Sequence, residues 1–365
     1  MKLKEKFKMQ RKKVIVCGST FGQFYIHALQ SMPERFELVG LYGKGSERSK
    51  KCADTYGIPL ITEFDQIPQV DIACVVISSG TIGGIGTDLA IRFMDKGVNV
   101  IQEQPIHLKD VSLCFRAAKR NNVYYKVCDL YPKLSEVSRF IRIANELNKK
   151  ELPLYIKGAF CPQVSYPAID ILSHALPSIF SFVVDSVADA VGPFDILTGK
   201  LDDIPIMLEY NNQVFPEDRD NYEHLLHNFA FVYESGRLIL EDTFGPVLWK
   251  PRMHIPKSLY NPENQKNMPA YVLENTIEPL GNYSPKHFDQ ALFGDWKQGI
   301  ADNILELESM IDNHVDLAPL AQRQIQVSKK WNELTSAFSF AKIIHPDGHH
   351  YIPSNDIKKF SGESV

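Results

Sequence analysis

The feature that most constrains this chain is a repeat of short apolar runs, each ending in a loop and followed by a helical pattern, across residues 14–129. Val14 to Cys17 ends at Gly18, and a helical stretch follows from about Gly22 to Gln30. Glu37 to Tyr42 leads into Ser46 to Tyr56, a helix with a Ser cap, closed by Gly57 and Pro59. Ile72 to Ile77 leads into Thr87 to Lys96, closed by Gly97. Val98 to Ile101 leads into Lys109 to Asn121, and Val123 to Val127 is the last run. The nearly continuous apolar character of Ile72–Ile77 is that of a strand covered on both faces. Repeated strand–helix units imply a parallel, doubly wound sheet with right-handed crossovers.

The pattern changes after about residue 130. Ser135 to Lys149 reads as one helix, and Ile169 to Leu176 lies in another apolar helical stretch. From about Pro205 the chain reads as antiparallel strands. The clearest hairpin is Phe229–Tyr233, turning at Ser235-Gly236 into Leu238–Glu241. Pro256 to Pro285 is polar and rich in Asn and Pro, a long loop. Trp296–Met310 and Ala318–Lys342 are helical. The expected fold is therefore α/β in two parts. Residues 1–130 form an N-terminal Rossmann domain, a doubly wound parallel sheet. Residues 131–365 form a C-terminal α+β domain with a largely antiparallel open sheet.

A length of 365 residues suits two domains. The net charge of −4 gives no global attraction to nucleic acid or to a membrane surface. No apolar run approaches the roughly 18 residues that span a bilayer. The basic start, MKLKEKFKMQRKK, lacks the apolar stretch of a signal peptide and reads as a solvated lead-in to the first strand. The six cysteines form no CxxC pair, and several fall inside apolar strands. Buried free thiols in a reducing compartment, the cytoplasm, account for them. His349 and His350 adjoin a Pro-Asp-Gly turn with no third ligand nearby, and read as surface rather than metal site.

The first strand runs into Gly18-Ser19-Thr20-Phe21-Gly22 and then a helix. Glycine permits the tight turn, and free N–H groups at a helix start meet a pyrophosphate. With glycines at its first and fifth positions, the loop departs from the GxGxxG pattern. The tip of the second strand separates NAD from NADP, because an acid there binds ribose hydroxyls whereas a base accommodates the extra phosphate. Here the strand ends Leu41-Tyr42-Gly43-Lys44-Gly45-Ser46-Glu47-Arg48-Ser49. No acid stands at the tip, and Lys44, Ser46, Arg48 and Ser49 supply charge, hydroxyls and helical N–H groups, which favours NADPH. Two further strand-end loops should face the cofactor: Ser78-Ser79-Gly80-Thr81 and Gln102-Glu103-Gln104-Pro105.

Together these pieces resemble the glucose–fructose oxidoreductase, inositol dehydrogenase and rhizopine-catabolism family. Its Glu-Lys-Pro motif reads Glu103-Gln104-Pro105 here, so the lysine that works beside the substrate hydroxyl is absent. A closer resemblance is to the thiazolinyl imine reductases of siderophore biosynthesis. It is carried by VIVCGSTFGQFY, LVGLYGKGSERS, GIPL, DIACVVISS to GGIGTDLA, VNVIQEQP, Tyr131-Pro132 and LEDTFGPVLW. This resemblance implies NADPH-dependent reduction of a thiazoline C=N to a thiazolidine. It also implies an intermediate tethered to a carrier domain of a nonribosomal peptide synthetase. In such enzymes a Tyr and a His near these motifs are the proposed proton donors. Tyr131 falls at the Tyr position, whereas the His position is Gln104, a poor acid. His107 just beyond reads as a helix cap.

A phenol, with a reference pKa of about 10, starts protonated at neutral pH, so Tyr131 is the first candidate donor. Asp170 and His174 are the second, since residues four apart share a helix face. The sugar dehydrogenases of the same family carry an Asp-x-x-x-His pair as base and orienting acid. Three readings stand at this point: an imine reductase, a sugar or cyclitol dehydrogenase, and a non-catalytic dinucleotide-binding regulator. The antiparallel sheet also offers a face for a homodimer.

Overall fold

The computed structural model describes residues 11–77, 84–219 and 222–362. Its first sheet has six strands: β1 (Lys12–Cys17), β2 (Phe36–Tyr42), β3 (Leu60–Ile61), β4 (Ile72–Val75), β5 (Asn99–Gln102) and β6 (Tyr125–Val127). All pair in parallel, in the order β3-β2-β1-β4-β5-β6. Val14–Cys17 and Ile72–Val75 are wholly buried, because helices cover both faces. Those helices are α1 (Gly22–Gln30), α2 (Glu47–Tyr56), α3 (Ile85–Asp95) and α4 (Leu108–Asn121). The strand order reverses between β1 and β4, which opens a crevice at the carboxyl ends of these strands.

Local chemistry sets the helix limits. The Ser46 hydroxyl accepts from Ser49 N–H at the start of α2, and Gly57, at φ 62°, ends it in the left-handed region. His107 caps α4 by accepting from the Lys109 N–H, as the sequence suggested. The two-residue β3 was not expected. It is held by Leu41 N–H donating to Pro59 O and Gly43 N–H to Ile61 O. The expected strand Ile72–Ile77 stops at Val75.

The second sheet has eight strands: β7 (Tyr155–Phe160), β8 (Phe182–Val191), β9 (Phe194–Leu201), β10 (Ile204–Tyr210), β11 (His227–Val232), β12 (Gly236–Leu240), β13 (Val247–Pro251) and β14 (Glu278–Pro279). Their order is β14-β13-β12-β11-β7-β10-β9-β8, and only β7 with β10 is parallel. The inner face carries Ile156, Phe160, Leu197, Leu208, Phe229 and Phe231, all buried. Gly158 lies among them because a Cβ there would meet the Phe229 ring at 2.9 Å. Helix α5 (Ser135–Asn148) packs on this face, the Phe140 ring meeting Phe231 edge-on at 5.0 Å.

Helix α6 (Ser165–Ala175) follows β7, and α7 (Lys297–Asp312) and α8 (Ala318–Ala337) come after the second sheet. Helix α8 stops at Ala337, short of the expected Lys342. Phe338 turns out of the helix to stack on Tyr210 at 4.4 Å, and Lys342–Ile343 then pairs with Gln213–Val214. Helices α7 and α8 return to the first domain. Lys12 pairs with Asp312 at 2.6 Å and Arg35 with Glu308 at 2.5 Å. Gln324 on α8 donates to Val127 O at 2.8 Å and accepts from Val127 N–H at 2.9 Å, which closes the free edge of β6. All six cysteines are free and buried. Among the described residues no helix is long and apolar enough to cross a membrane.

Candidate active site

The crevice is built from strand ends. Gly18, at φ 103°, makes the turn after β1, and a Cβ there would stand 2.3 Å from Val76 O. Only glycine fits this close crossing. No side chain caps the start of α1, which opens at Gly22 beside an exposed Thr20 and a half-buried Phe21. At the tip of β2, Lys44, Ser46 and Arg48 are exposed, and neither Lys44 nor Arg48 makes an ion pair among the described residues. Ser49 differs: it is 2% exposed and its hydroxyl donates to Ser46 O at 2.8 Å. Ser78 and Ser79 lie outside the described residues. A backbone turn that admits no side chain, an uncapped helix start and two uncommitted cations fit a dinucleotide with phosphate at both places.

Beyond β5, the Glu103 carboxylate accepts from the Tyr25 hydroxyl at 2.5 Å. Burial pushes the Glu103 carboxyl up to about 7, against the opposing hydrogen bonds from Tyr25 and from the Gln104 N–H. Gln104 precedes Pro105 across a cis bond. The carboxyl at the strand end is therefore tied to α1 and turned away from a simple role in solvent.

Tyr131 lies in a single helical turn, Leu130–Lys133, between the two domains and is 7% exposed. Its ring stands 5.1 Å from His227 on β11 and 6.3 Å from Trp296, both edge-on. Trp296 in turn meets Phe21 of the glycine turn at 5.6 Å and Phe24 at 5.5 Å. An aromatic wall thus runs from the glycine turn to Tyr131. Trp296 closes a π-helical turn, Ala291–Trp296, just before α7. His227 is fully buried, with Nε2 3.0 Å from Val164 O and Nδ1 2.9 Å from Thr243 Oγ1. Burial holds its imidazole down at about 4, so it is neutral.

Asp170 and His174 do share a helix face, with 3.8 Å between Asp170 Oδ1 and His174 Nε2. They do not stand alone. His174 Nε2 is 3.5 Å from Asp129, and Arg323 of α8 reaches Asp170 at 2.5 Å and Asp129 at 3.3 Å. Lys126 is wholly buried and bonds Asp129 at 3.3 Å and Glu306 at 2.5 Å. Burial would raise the Asp129 carboxyl, but Lys126, His174 and Arg323 together hold it well below the usual carboxylate range. Asp129, Asp170 and His174 have the spacing of metal ligands, but the Arg323 guanidinium already supplies the positive charge there.

Sequence reasoning did not find Tyr25, His227, Trp296, Asp129 or Arg323. Arg323 is 153 residues from Asp170 and 194 from Asp129, and no local pattern links such positions.

A parallel sheet in this order, a glycine turn at its reversal and a second domain walling the crevice define a two-domain, dinucleotide-binding protein. Residues 12–128 match the family model described as an oxidoreductase family with an NAD-binding Rossmann fold. Residues 152–250 match the model described as thiazolinyl imine reductase Irp3-like, C-terminal. The first part of the chain is thus similar to an NAD-binding oxidoreductase family, and the second part to the Irp3-like C-terminal domain. A comparison with curated proteins finds no match.

Solved structures share the fold. A dehydrogenase from Chromobacterium violaceum is 14% identical, with TM-score 0.65, over 90% of this chain and 96% of that one. The WlbA dehydrogenase from Bordetella pertussis, in complex with NADH and UDP-GlcNAcA, is 11% identical, with TM-score 0.65, over 91% and 96%. KijD10, a 3-ketoreductase from Actinomadura kijaniata solved as a mutant with NADP, is 12% identical, with TM-score 0.64, over 92% and 99%.

Proposed function

We propose that this protein is an NADPH-dependent reductase of a thiazoline C=N, acting on an intermediate tethered to a carrier domain of a nonribosomal peptide synthetase in the cytoplasm. The observation that carries this reading is the match of residues 152–250 to the Irp3-like C-terminal domain. It is supported by Gln104 at the position where the sugar dehydrogenases use a cation, and by the aromatic wall around Tyr131.

What a bound dinucleotide would supply here is a hydride for the imine carbon. The chain's residues do the rest. The turn Gly18–Gly22 and the start of α1 hold the pyrophosphate, while Lys44 and Arg48 meet the ribose phosphate. The aromatic wall excludes water from the reacting ring. Tyr131 gives its hydroxyl proton to the ring nitrogen as the C=N bond becomes C–N–H, and a proton from solvent restores the phenol.

Asp170 and His174, with their supporting ion pairs, hold the helical turn of Tyr131 in place. A second reading, a sugar or cyclitol dehydrogenase, draws on the same pair. The guanidinium of Arg323 on Asp170 disfavours it, because it already occupies the carboxylate oxygen nearest His174. Two copies pair through the outer face of the second sheet, along the cross-strand row Met207, Lys157, Ala230, Ile239 and Leu248; sedimentation as a monomer alone would refute this.

The decisive assay is NADPH oxidation with a thioester of a hydroxyphenyl-thiazoline, beside a sugar and cyclitol panel with NAD and NADP. A thiazolidine product, heavier by two hydrogens, supports the reading. Turnover of a sugar alone overturns it.

A further inference from the structure

A cavity of about 180 Å³ has Asp242, Phe244, Tyr283, Lys286 and Phe288 among its walls. Two of its walls continue to Tyr131. Asp242 and Phe244 flank Thr243, whose hydroxyl bonds His227 at 2.9 Å, and the His227 ring packs on Tyr131. Ala291 lines the cavity and begins the turn that ends at Trp296, which also meets Tyr131.

The walls are held in place. The Phe244 N–H donates to Asp242 Oδ1 at 3.0 Å, and burial pushes the Asp242 carboxyl up. Lys286 grips both oxygens of Asp295, at 2.8 and 2.7 Å, which ties the incoming segment to the turn carrying Trp296. Gly245, at φ 92°, lets the Tyr283 ring lie where a Cβ would stand 3.0 Å away. Phe288, 84% exposed, stands at the rim.

This lining has a specific chemistry. A carboxyl accepts, a phenol and an ammonium donate, and two phenyl rings cover apolar atoms. Groups that offer N–H and C=O together, joined by short hydrocarbon pieces, match it. A sugar would bring more hydroxyls than one carboxyl, one phenol and one ammonium can pair, and a nucleotide phosphate would face Asp242. We propose that this cavity binds the pantetheine arm that tethers the substrate, so that its amides meet Asp242 and Tyr283 while its methyl and methylene groups lie on Phe244 and Phe288. The inference rests on the imine-reductase reading, since it assigns the part of that substrate beyond the reacting ring.

The test compares two substrates with the same thiazoline acyl group, one a short-chain thioester and one a pantetheine thioester. The readout is the ratio of their kcat/KM values in wild type, Asp242→Asn and Phe288→Ala. In wild type the ratio favours pantetheine, and in each variant it falls by about tenfold, as loss of one good contact requires. A ratio that is unity in wild type, or unchanged in both variants, overturns the proposal. A separate titration of pantetheine alone into the NADPH-loaded protein keeps the two readings apart. If wild type reduces neither substrate, the imine-reductase reading fails, and the titration still decides the cavity. Binding lost in the variants supports it, and no binding in wild type overturns it.

Discussion

The ring of Tyr131 stands edge-on to the ring of His227, with 5.1 Å between centroids and 74° between planes. The imidazole has both nitrogens engaged, one toward Val164 O and one toward Thr243, so it offers Tyr131 a neutral aromatic edge and no proton. His227 is therefore no base for the Tyr131 hydroxyl. That separates the role of Tyr131 from that of the ion-paired cluster behind it.

If Tyr131 is the proton donor, Tyr131→Phe keeps the ring and its packing but removes the proton. Turnover of the thiazoline substrate should fall by about 10²–10⁴-fold, the usual worth of a positioned general acid, with the KM for NADPH nearly unchanged. Steady-state kinetics at saturating substrate check this. Unchanged kcat would remove Tyr131 from the mechanism.

Arg48 and Lys44 lie exposed at the tip of β2 with no carboxylate among the described residues to hold them. Such cations are free to pair with a phosphate on the adenosine ribose. Arg48→Ala should weaken NADPH by about tenfold, as expected for one charged hydrogen bond, and NADH much less. Fluorescence titration with both nucleotides reads the difference directly. Equal loss for the two would place the extra phosphate elsewhere.

Arg323 holds two carboxylates that burial has removed from water, Asp129 at 4% and Asp170 at 5% side-chain exposure. Arg323→Met leaves both anions with one cation fewer and should cost about 3–5 kcal/mol in stability. Urea unfolding measures it. Adding Asp170→Asn removes one of the stranded charges, so the double variant should recover part of the loss. Simple additivity of the two costs would show that the guanidinium does not bear on Asp170.

How much of this was legible in the sequence follows from the range of each interaction. Helix α1 and the hairpin of β11 and β12 depend on neighbours in sequence, and the expected ranges lie within two residues of those found. The antiparallel start near Pro205 was placed too late. β8 and β9 precede it, and the edge strand β8 has an exposed, unalternating pattern that gives no strand signal. Gly18 was readable because its steric demand is local. The cluster of Lys126, Asp129, Asp170, His174 and Arg323 was readable only as Asp170 and His174, four apart on α6. Its other members come from β6, the turn after it and α8, and only the fold brings them together. Trp296 was assigned to the start of a helix, whereas it ends a π-helical turn, and its place beside Tyr131 depends on that extra residue per turn.

The buried neutrality of His227 has a consequence for acid stability. In the unfolded chain a histidine takes up its proton near pH 6.5, whereas in the fold burial holds His227 down to about 4. Above pH 6.5 neither state is protonated there, and the fold bears no penalty. As pH falls toward about 4 the unfolded chain gains a proton that the folded chain refuses, so stability drops, and below that the penalty is constant. His227→Gln gives up the bonds to Val164 O and Thr243 and should be less stable than wild type at pH 7. Because glutamine does not titrate, that deficit should narrow as pH falls from 6.5 to about 4. Chemical unfolding of both proteins at several pH values across this window gives the difference. A deficit that stays constant would mean that the fold accepts the proton as readily as the unfolded chain, and Tyr131 would then face an imidazolium at mildly acidic pH.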